Sequence, residues 1–237
     1  MKILSIDTST KTFSLAVSDG EEILRSRNIK ITRVLSSSII PSIHQILKKA
    51  GIALSQLDGF AVGLGPGSFT SLRVGLSTIK AFALATGKPV VGIPSLDVLA
   101  LNVLERDALI GTLCDARRNL VYACFYEKKN GVLKRKSDYL LTSLGDVLAR
   151  VKEETILIGD GIKLYRDEIE LLNAKAGDRG RGKNLLQVTE EKCWYPRAKC
   201  LALLAREKFQ AKKFDDAASL VPLYLYPEDC QVRNAGK

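Results

Sequence analysis

The sequence predicts an α/β protein built as two lobes, each a mixed β-sheet flanked by helices. Three observations lead there. Three strand-like stretches joined as hairpins, then helix, strand and helix, occur in that order twice along the 237 residues. The two occurrences align at an offset of 108 residues, which sets Asp7 on Asp115 and residues 12–17 on residues 120–125. Residues 60–65 (FAVGLG) then parallel residues 156–161 (ILIGDG), a strand running into Gly-x-Gly in both. A repeat whose units open on hairpin-paired strands points to a duplicated mixed sheet rather than a doubly wound parallel one. The expected division is residues 1–104 for the first lobe and 105–237 for a smaller second lobe. A helix at 197–212 and the tail are expected to pack back on the first lobe.

Each element has a local reason. Residues 1–6 are an apolar strand ending at Asp7. A polar turn, Thr8-Ser9-Thr10-Lys11, leads into an alternating strand at 12–18, and Asp19-Gly20 is a hairpin signal before a third strand at 22–30. Residues 38–50 set Ile39, Ile43, Ile46 and Leu47 on one helical face, and Gly51 ends that helix. Next come a strand at 60–64, a Gly65-Pro66-Gly67 turn, a helix at 69–86 started by Ser68 or Thr70, a strand at 90–93 and a short helix at 95–104. In the second half, strands at 108–113 and 120–126 and a hairpin strand within 129–136 precede a helix at 144–152. A strand at 155–158, a helix at 162–176 and a strand at 185–188 follow. The Gly-rich stretch 177–184 reads as a linker, and 221–226 as an extended apolar tail.

The helix at 69–86 stands apart. No Asp or Glu occurs between Gly59 and Leu96, and the helix carries only Arg73 and Lys80. A helix packed on one sheet keeps a charged back; this one is apolar or small around most of its circumference. Ser71, Gly75, Thr78, Ala81 and Ala85 also form a small-residue track that lets another helix approach. Two readings follow: a central helix covered within its own chain, or a helix whose outer side is covered by a second molecule. On the second reading, Gly75→Arg or Ala81→Glu abolishes pairing and leaves the monomer folded. The two cations and the hydroxyls interrupt the segment well short of the roughly 20 apolar residues of a membrane span.

Composition narrows the chemistry. A formal net charge of +10 favours anionic partners, either nucleic acid or an acidic protein. The clusters Lys128, Lys129, Lys134, Arg135, Lys136 and Arg179, Arg181, Lys183 read as solvated surface or as a phosphate-neutralising patch within a larger complex. No aromatic series accompanies them, so a freestanding single-strand RNA module is not supported. Five cysteines without CxxC spacing fit reduced thiols rather than disulfides or zinc. The chain opens directly on a strand pattern, so the expected location is the cytoplasm. The one histidine, His44, leaves no two-His metal pair and no context for a nucleophilic triad. Residues 63–68 (GLGPGS) lack the third glycine and the downstream acid of a dinucleotide site, and no Gly-Lys-Ser/Thr is present for a phosphate loop.

Asp7 and Asp115, each ending the first strand of a lobe, together with Gly159-Asp160-Gly161 at a later strand end, resemble the actin, Hsp70 and sugar-kinase architecture. There the lobes face one another and the turns after the first strands hold nucleotide phosphates. Here the first turn carries side chains where catalytic versions have glycine, so Asp7, Thr8, Ser9, Thr10, Asp115, Gly159, Asp160 and Gly161 make a degenerate nucleotide site.

Five stretches, ILSIDTST (3–10), AVGLGPGSFTSLRVG (61–75), PVVGIPSLDVLA (89–100), CDARRNLVY (114–122) and VPLYLYP (221–227), are similar to the TsaB/YeaZ family over nearly the whole chain. The GPGSFT-x-LR-x-G run is the most specific. Leu35 stands where the family usually has His, Ser71 where Gly is common, and Tyr226 where Arg is frequent. The resemblance implies an actin-like ATPase/RNase H-like fold and a non-catalytic subunit of tRNA threonylcarbamoyladenosine biosynthesis. It further implies pairing with a TsaD-like catalytic subunit, a TsaE-like ATPase as third component, a homodimer when alone, and contact with tRNA only through the complex. No metal or tightly bound cofactor is implied, with ATP or ADP placed at the subunit boundary. The implied partner face comprises Ile39, Ile43, Ser71, Arg73, Val74, Gly75, Thr78, Ala81, Phe82 and Ala85. The competing expectation is a peptidase-like or nucleotide-hydrolysing enzyme of the same superfamily.

Overall fold

Apolar side chains on both faces of the first strand demand cover on both sides of its sheet. In the computed structural model, which describes residues 1–32, 34–103, 107–176 and 185–226, β1 (Lys2–Asp7) turns Leu4 and Ile6 to one side and Ile3 to the other, all buried. β2 (Thr12–Asp19) and β3 (Glu22–Lys30) follow as antiparallel neighbours. After α1 (Leu35–Ala50), β4 (Gly59–Gly63) joins the other side of β1 in parallel, and after α2 (Phe69–Thr86), β5 (Val90–Ile93) extends it, giving the order β3-β2-β1-β4-β5. α1 and α2 cover the Leu4/Ile6 face, and each stops at a glycine in the left-handed region, Gly51 and Gly87. α3 (Ser95–Ala100) lies on the opposite face.

The second lobe repeats the plan. β6 (Ala108–Arg117), β7 (Leu120–Lys129) and β8 (Val132–Arg135) are antiparallel neighbours, and β9 (Leu140–Thr142) also pairs with β7. α4 (Leu144–Ala149) leads to β10 (Thr155–Ile158), α5 (Arg166–Ala176) to β11 (Leu186–Val188), and the order is β11-β10-β6-β7-β8. The last two strands run parallel to β6, as β4 and β5 run parallel to β1. The 108-residue repeat is therefore a duplicated topology, and Asp7 and Asp115 hold equivalent places in the two sheets. Trp194, fully buried, fills this lobe's core and donates its indole N–H to Thr189 O at 2.9 Å.

α6 (Ala198–Gln210) comes late in the chain but closes the first lobe. Its Cys200, Leu201, Ala205 and Phe209 pack on Ile3, Ala61 and Val91. No helix among the described residues is long and apolar enough to cross a membrane.

Two local readings differ from the structure. The helix expected over 162–176 is a 3₁₀ turn at Asp160–Lys163 followed by α5 from Arg166, since Gly159 and Gly161 press against Leu113 and hold the chain in a tight turn. Asp167 and Glu168 then favour a helix start where α5 begins. β9, three residues long, gives no readable period. The 104/105 boundary, the 177–184 linker, Pro227 and Cys230 lie outside the described residues.

Candidate functional site

The site grows from the two turns that follow the first strands. Asp7 is fully buried, and both of its oxygens are engaged. Oδ1 accepts from Ser9 N (2.9 Å) and Ser9 Oγ (2.6 Å), and Oδ2 accepts from Ser95 Oγ (2.7 Å), which itself accepts from Gly65 N (3.0 Å). Burial pushes the Asp7 carboxyl above the usual carboxylate range, against the downward pull of the Ser9 and Ser95 hydrogen bonds. Thr8 turns under α2, donating to Ser71 O (2.8 Å) and lying where a Cβ on Gly75 would fall 2.3 Å from its Oγ1. Ser68 N donates to Ser9 O (2.8 Å), and a Cβ on Gly67 would meet that oxygen at 2.1 Å. The first turn is thus closed against the start of α2, and the Ser9 amide points inward to Asp7.

In the second lobe Asp115 accepts from Arg117 N through Oδ1 (2.8 Å) and sits 3.7 Å from Arg117 Nε through Oδ2. Asp115 N donates to Asp160 Oδ1 (3.1 Å), and burial raises the Asp160 carboxyl. The hairpin tip Arg117, Arg118, Asn119 holds φ of 68°, 53° and 58°, three left-handed residues in succession. Gly159, at φ 134°, would bring a Cβ to 2.3 Å from Leu113 O. Close backbone approach therefore accounts for this glycine, and Gly159→Ala is expected to cost about 3 kcal/mol or more, read as a lower urea midpoint at unchanged slope.

The two turns face a cleft of about 1010 Å³ between the lobes. Of the expected nucleotide-site residues, Ser9, Thr10, Asp115 and Asp160 line it; Asp7 lies buried beneath, and Thr8, Gly159 and Gly161 are turned to neighbouring backbone. Sequence reasoning missed Lys11, Phe69, Arg117, Tyr122, Tyr224 and Tyr226 on its walls. The readable signal was the tail LYLY (223–226), too apolar for a fraying end. Cys114 also lines the cleft, but burial and the nearby Asp160 and Asp7 push its thiol well up, away from nucleophilic form. Among the described residues no group of three or more His, Cys, Asp or Glu could hold a metal ion. Lys11, Arg73 and Arg117 line the cleft together with Asp115, Asp160 and the aromatic Phe69, Tyr122, Tyr224 and Tyr226. This arrangement can bind and orient a ligand.

The expected partner face needs correction. Ile39 and Ile43 are buried under the sheet, and Gly75 is buried against Thr8; none is presented outward. Val74 and Phe82 pack on the same core, Phe82 stacking on Phe60. Ser71 and Thr78 are half-buried, their backbone or hydroxyl bonded to Thr8 and to Val74 O. Nor is α2 apolar all round its free side. One flank is sealed by the chain's own later residues: Lys80 donates to Ala218 O (2.9 Å) and Leu220 O (3.0 Å), and Ala217 and Leu220 join the core beneath. What remains open is a strip of Thr70, Arg73, Ser77, Ala81, Leu84 and Ala85, with Leu84 63% exposed. His44 is exposed on α1.

Residues 30–232 match the family described as TsaD, tRNA N6-adenosine threonylcarbamoyltransferase. The tRNA threonylcarbamoyladenosine biosynthesis protein TsaB of Bacillus subtilis is 31% identical over 95% of this chain and 94% of its own length. TsaB of Escherichia coli is 28% identical over 70% of this chain and 74% of its own. YeaZ from Pseudomonas aeruginosa superimposes with a TM-score of 0.76 over 94% of this chain and 99% of its own, at 23% identity, and so shares the fold. A two-lobed chain, similar along almost all of its length to TsaB, thus belongs to the TsaB/YeaZ family of tRNA threonylcarbamoyladenosine biosynthesis proteins.

Proposed function

We propose that this chain serves threonylcarbamoyladenosine biosynthesis as a subunit without chemistry of its own, pairing with a TsaD-like catalytic partner. The observation that carries this reading is the filled first turn. The Ser9 amide is bonded to Asp7, the Ser9 carbonyl is bonded to Ser68 N, and Thr8 is wedged under Gly75. Phosphate binding at such a turn needs free amides and no side chains in the way; here the Ser9 amide is taken by Asp7 and side chains occupy the turn. Tight nucleotide binding by the isolated chain is therefore not expected, and ATP or ADP belongs at a boundary completed by the partner. The open strip of α2 supports the pairing face, since small residues allow close helix approach. The same strip pairs two copies when the chain is alone. A TsaE-like ATPase completes the system, and tRNA is met through the assembly.

Reconstitution tests the proposal. With a TsaD-like subunit, a TsaE-like ATPase, tRNA, threonylcarbamoyl-adenylate and ATP, omitting this chain is expected to lower modification by roughly a hundredfold. The chain alone is expected to hydrolyse no ATP above buffer. Full modification without it, or ATP hydrolysis by it alone, would sink the proposal.

A further inference from the structure

Residues 214–226 leave α6 and cross from one lobe to the other. Their hold on the first lobe is spread over many bonds. Asp215 N donates to Val90 O (2.9 Å), Asp215 Oδ2 accepts from Gly92 N (2.7 Å), Lys80 grips the Ala218 and Leu220 carbonyls, and Leu223 N donates to Leu64 O (2.8 Å). The Tyr224 ring then lies against Phe69, centroids 5.4 Å apart, and its hydroxyl accepts from Arg73 Nε at 2.9 Å. Two residues later the grip changes lobe. Tyr226 OH donates to Ala116 O at 2.7 Å, its ring meets Tyr122 edge-on at 6.2 Å, and Leu225 and Tyr226 pack on the second-lobe core.

Among the described residues the segment is fastened to the first lobe mainly through its backbone and the half-buried Asp215 carboxylate, and to the second through the Leu225 and Tyr226 side chains, the Tyr226 hydroxyl included. Leu225 and Tyr226 also form a wall of the cleft, together with Leu223 and Tyr224. Its anchor, the Ala116 carbonyl, directly precedes the left-handed tip Arg117–Asn119, the hairpin that brings Asp115 to the cleft. The other end grips Phe69 and Arg73 at the start of α2, against which the first turn is closed. A single strap therefore ties together the two turns that face each other.

We propose that residues 223–226 are a releasable clasp: Tyr226 fixes the angle between the lobes, and its withdrawal from Ala116 opens the cleft while the first-lobe fastening stays in place. The inference does not depend on whether the chain carries chemistry or which partner it takes. Cys114 provides the readout, since it lines the cleft yet is only 5% exposed, whereas Cys124 and Cys200 are buried elsewhere.

The test is N-ethylmaleimide labelling of the full chain, each cysteine followed separately by peptide mass spectrometry. Tyr226→Phe removes the hydroxyl bond and keeps the ring; its Cys114 rate is expected to rise about three- to tenfold, the weight of one neutral hydrogen bond in an opening equilibrium. Tyr226→Ala is expected to raise it further, with Cys124 and Cys200 labelling as in the unaltered chain. Cys114 rates within twofold of the unaltered chain in both variants would overturn the clasp. So would a parallel rise at Cys114, Cys124 and Cys200, because the whole fold would then be loosening.

Discussion

Asp7→Ala is expected to lower the unfolding free energy by about 3–5 kcal/mol, because it strands three buried donors at once, the Ser9 amide and the Ser9 and Ser95 hydroxyls. Asp7→Asn keeps an oxygen for Ser9 and offers an amide to Ser95, so it is expected to fall within about 1 kcal/mol of the unaltered chain at neutral pH. The two variants also differ in their pH response. Burial raises the folded-state Asp7 carboxyl above its ordinary 3.8. Between that value and the raised one, the folded chain holds a proton that the unfolded chain has released. Stability from this group is therefore present below the unfolded value and is lost as pH rises through the folded one. Urea melts from pH 4 to pH 7 should show the unaltered chain losing ground to Asp7→Asn as pH increases. A gain instead would mean that the Ser9 and Ser95 bonds outweigh burial and hold the carboxylate ionised.

That arrangement was only half legible in the sequence. Strand-ending Asp7 and Asp115 and their 108-residue spacing could be read because alternation and turn chemistry are local signals, and they fixed the duplicated topology. The crossovers could be read for the same reason, down to Gly51 as a helix stop. What could not be read was which groups fill which space. Nothing local says that Thr8 lodges beneath Gly75, 67 residues away in sequence, or that Gly59 leaves room for the Phe209 ring. Glycine in a helix reads as an invitation to a second helix; here it accommodates a side chain of the same chain. The tail posed the same difficulty. Residues 221–226 read as an apolar tail packed on one lobe, but Tyr224 meets Arg73 and Phe69 in the first lobe and Tyr226 meets Ala116 and Tyr122 in the second.

Gly75→Arg and Ala81→Glu, equivalent as sequence changes on one small-residue track, are therefore expected to have separate consequences. At Gly75 even a Cβ meets Thr8 Oγ1 at 2.3 Å and Cγ2 at 2.8 Å, and Thr8 is tied to Ser71 O, so an arginine has no way out. Its cost is about 4 kcal/mol or more, a melting temperature lower by roughly 10 °C or an insoluble chain. Loss of pairing in that variant reports unfolding and carries no information about the interface. Ala81 lies on the open strip between Ser77 and Leu84, where a glutamate reaches water and changes stability by only about 0.5 kcal/mol. If a TsaD-like subunit covers that strip, the same carboxylate is desolvated without a cation and weakens pairing by roughly a hundredfold. Co-purification alongside a thermal melt separates the two effects. An Ala81→Glu chain that melts normally and still pairs would place the partner on another face.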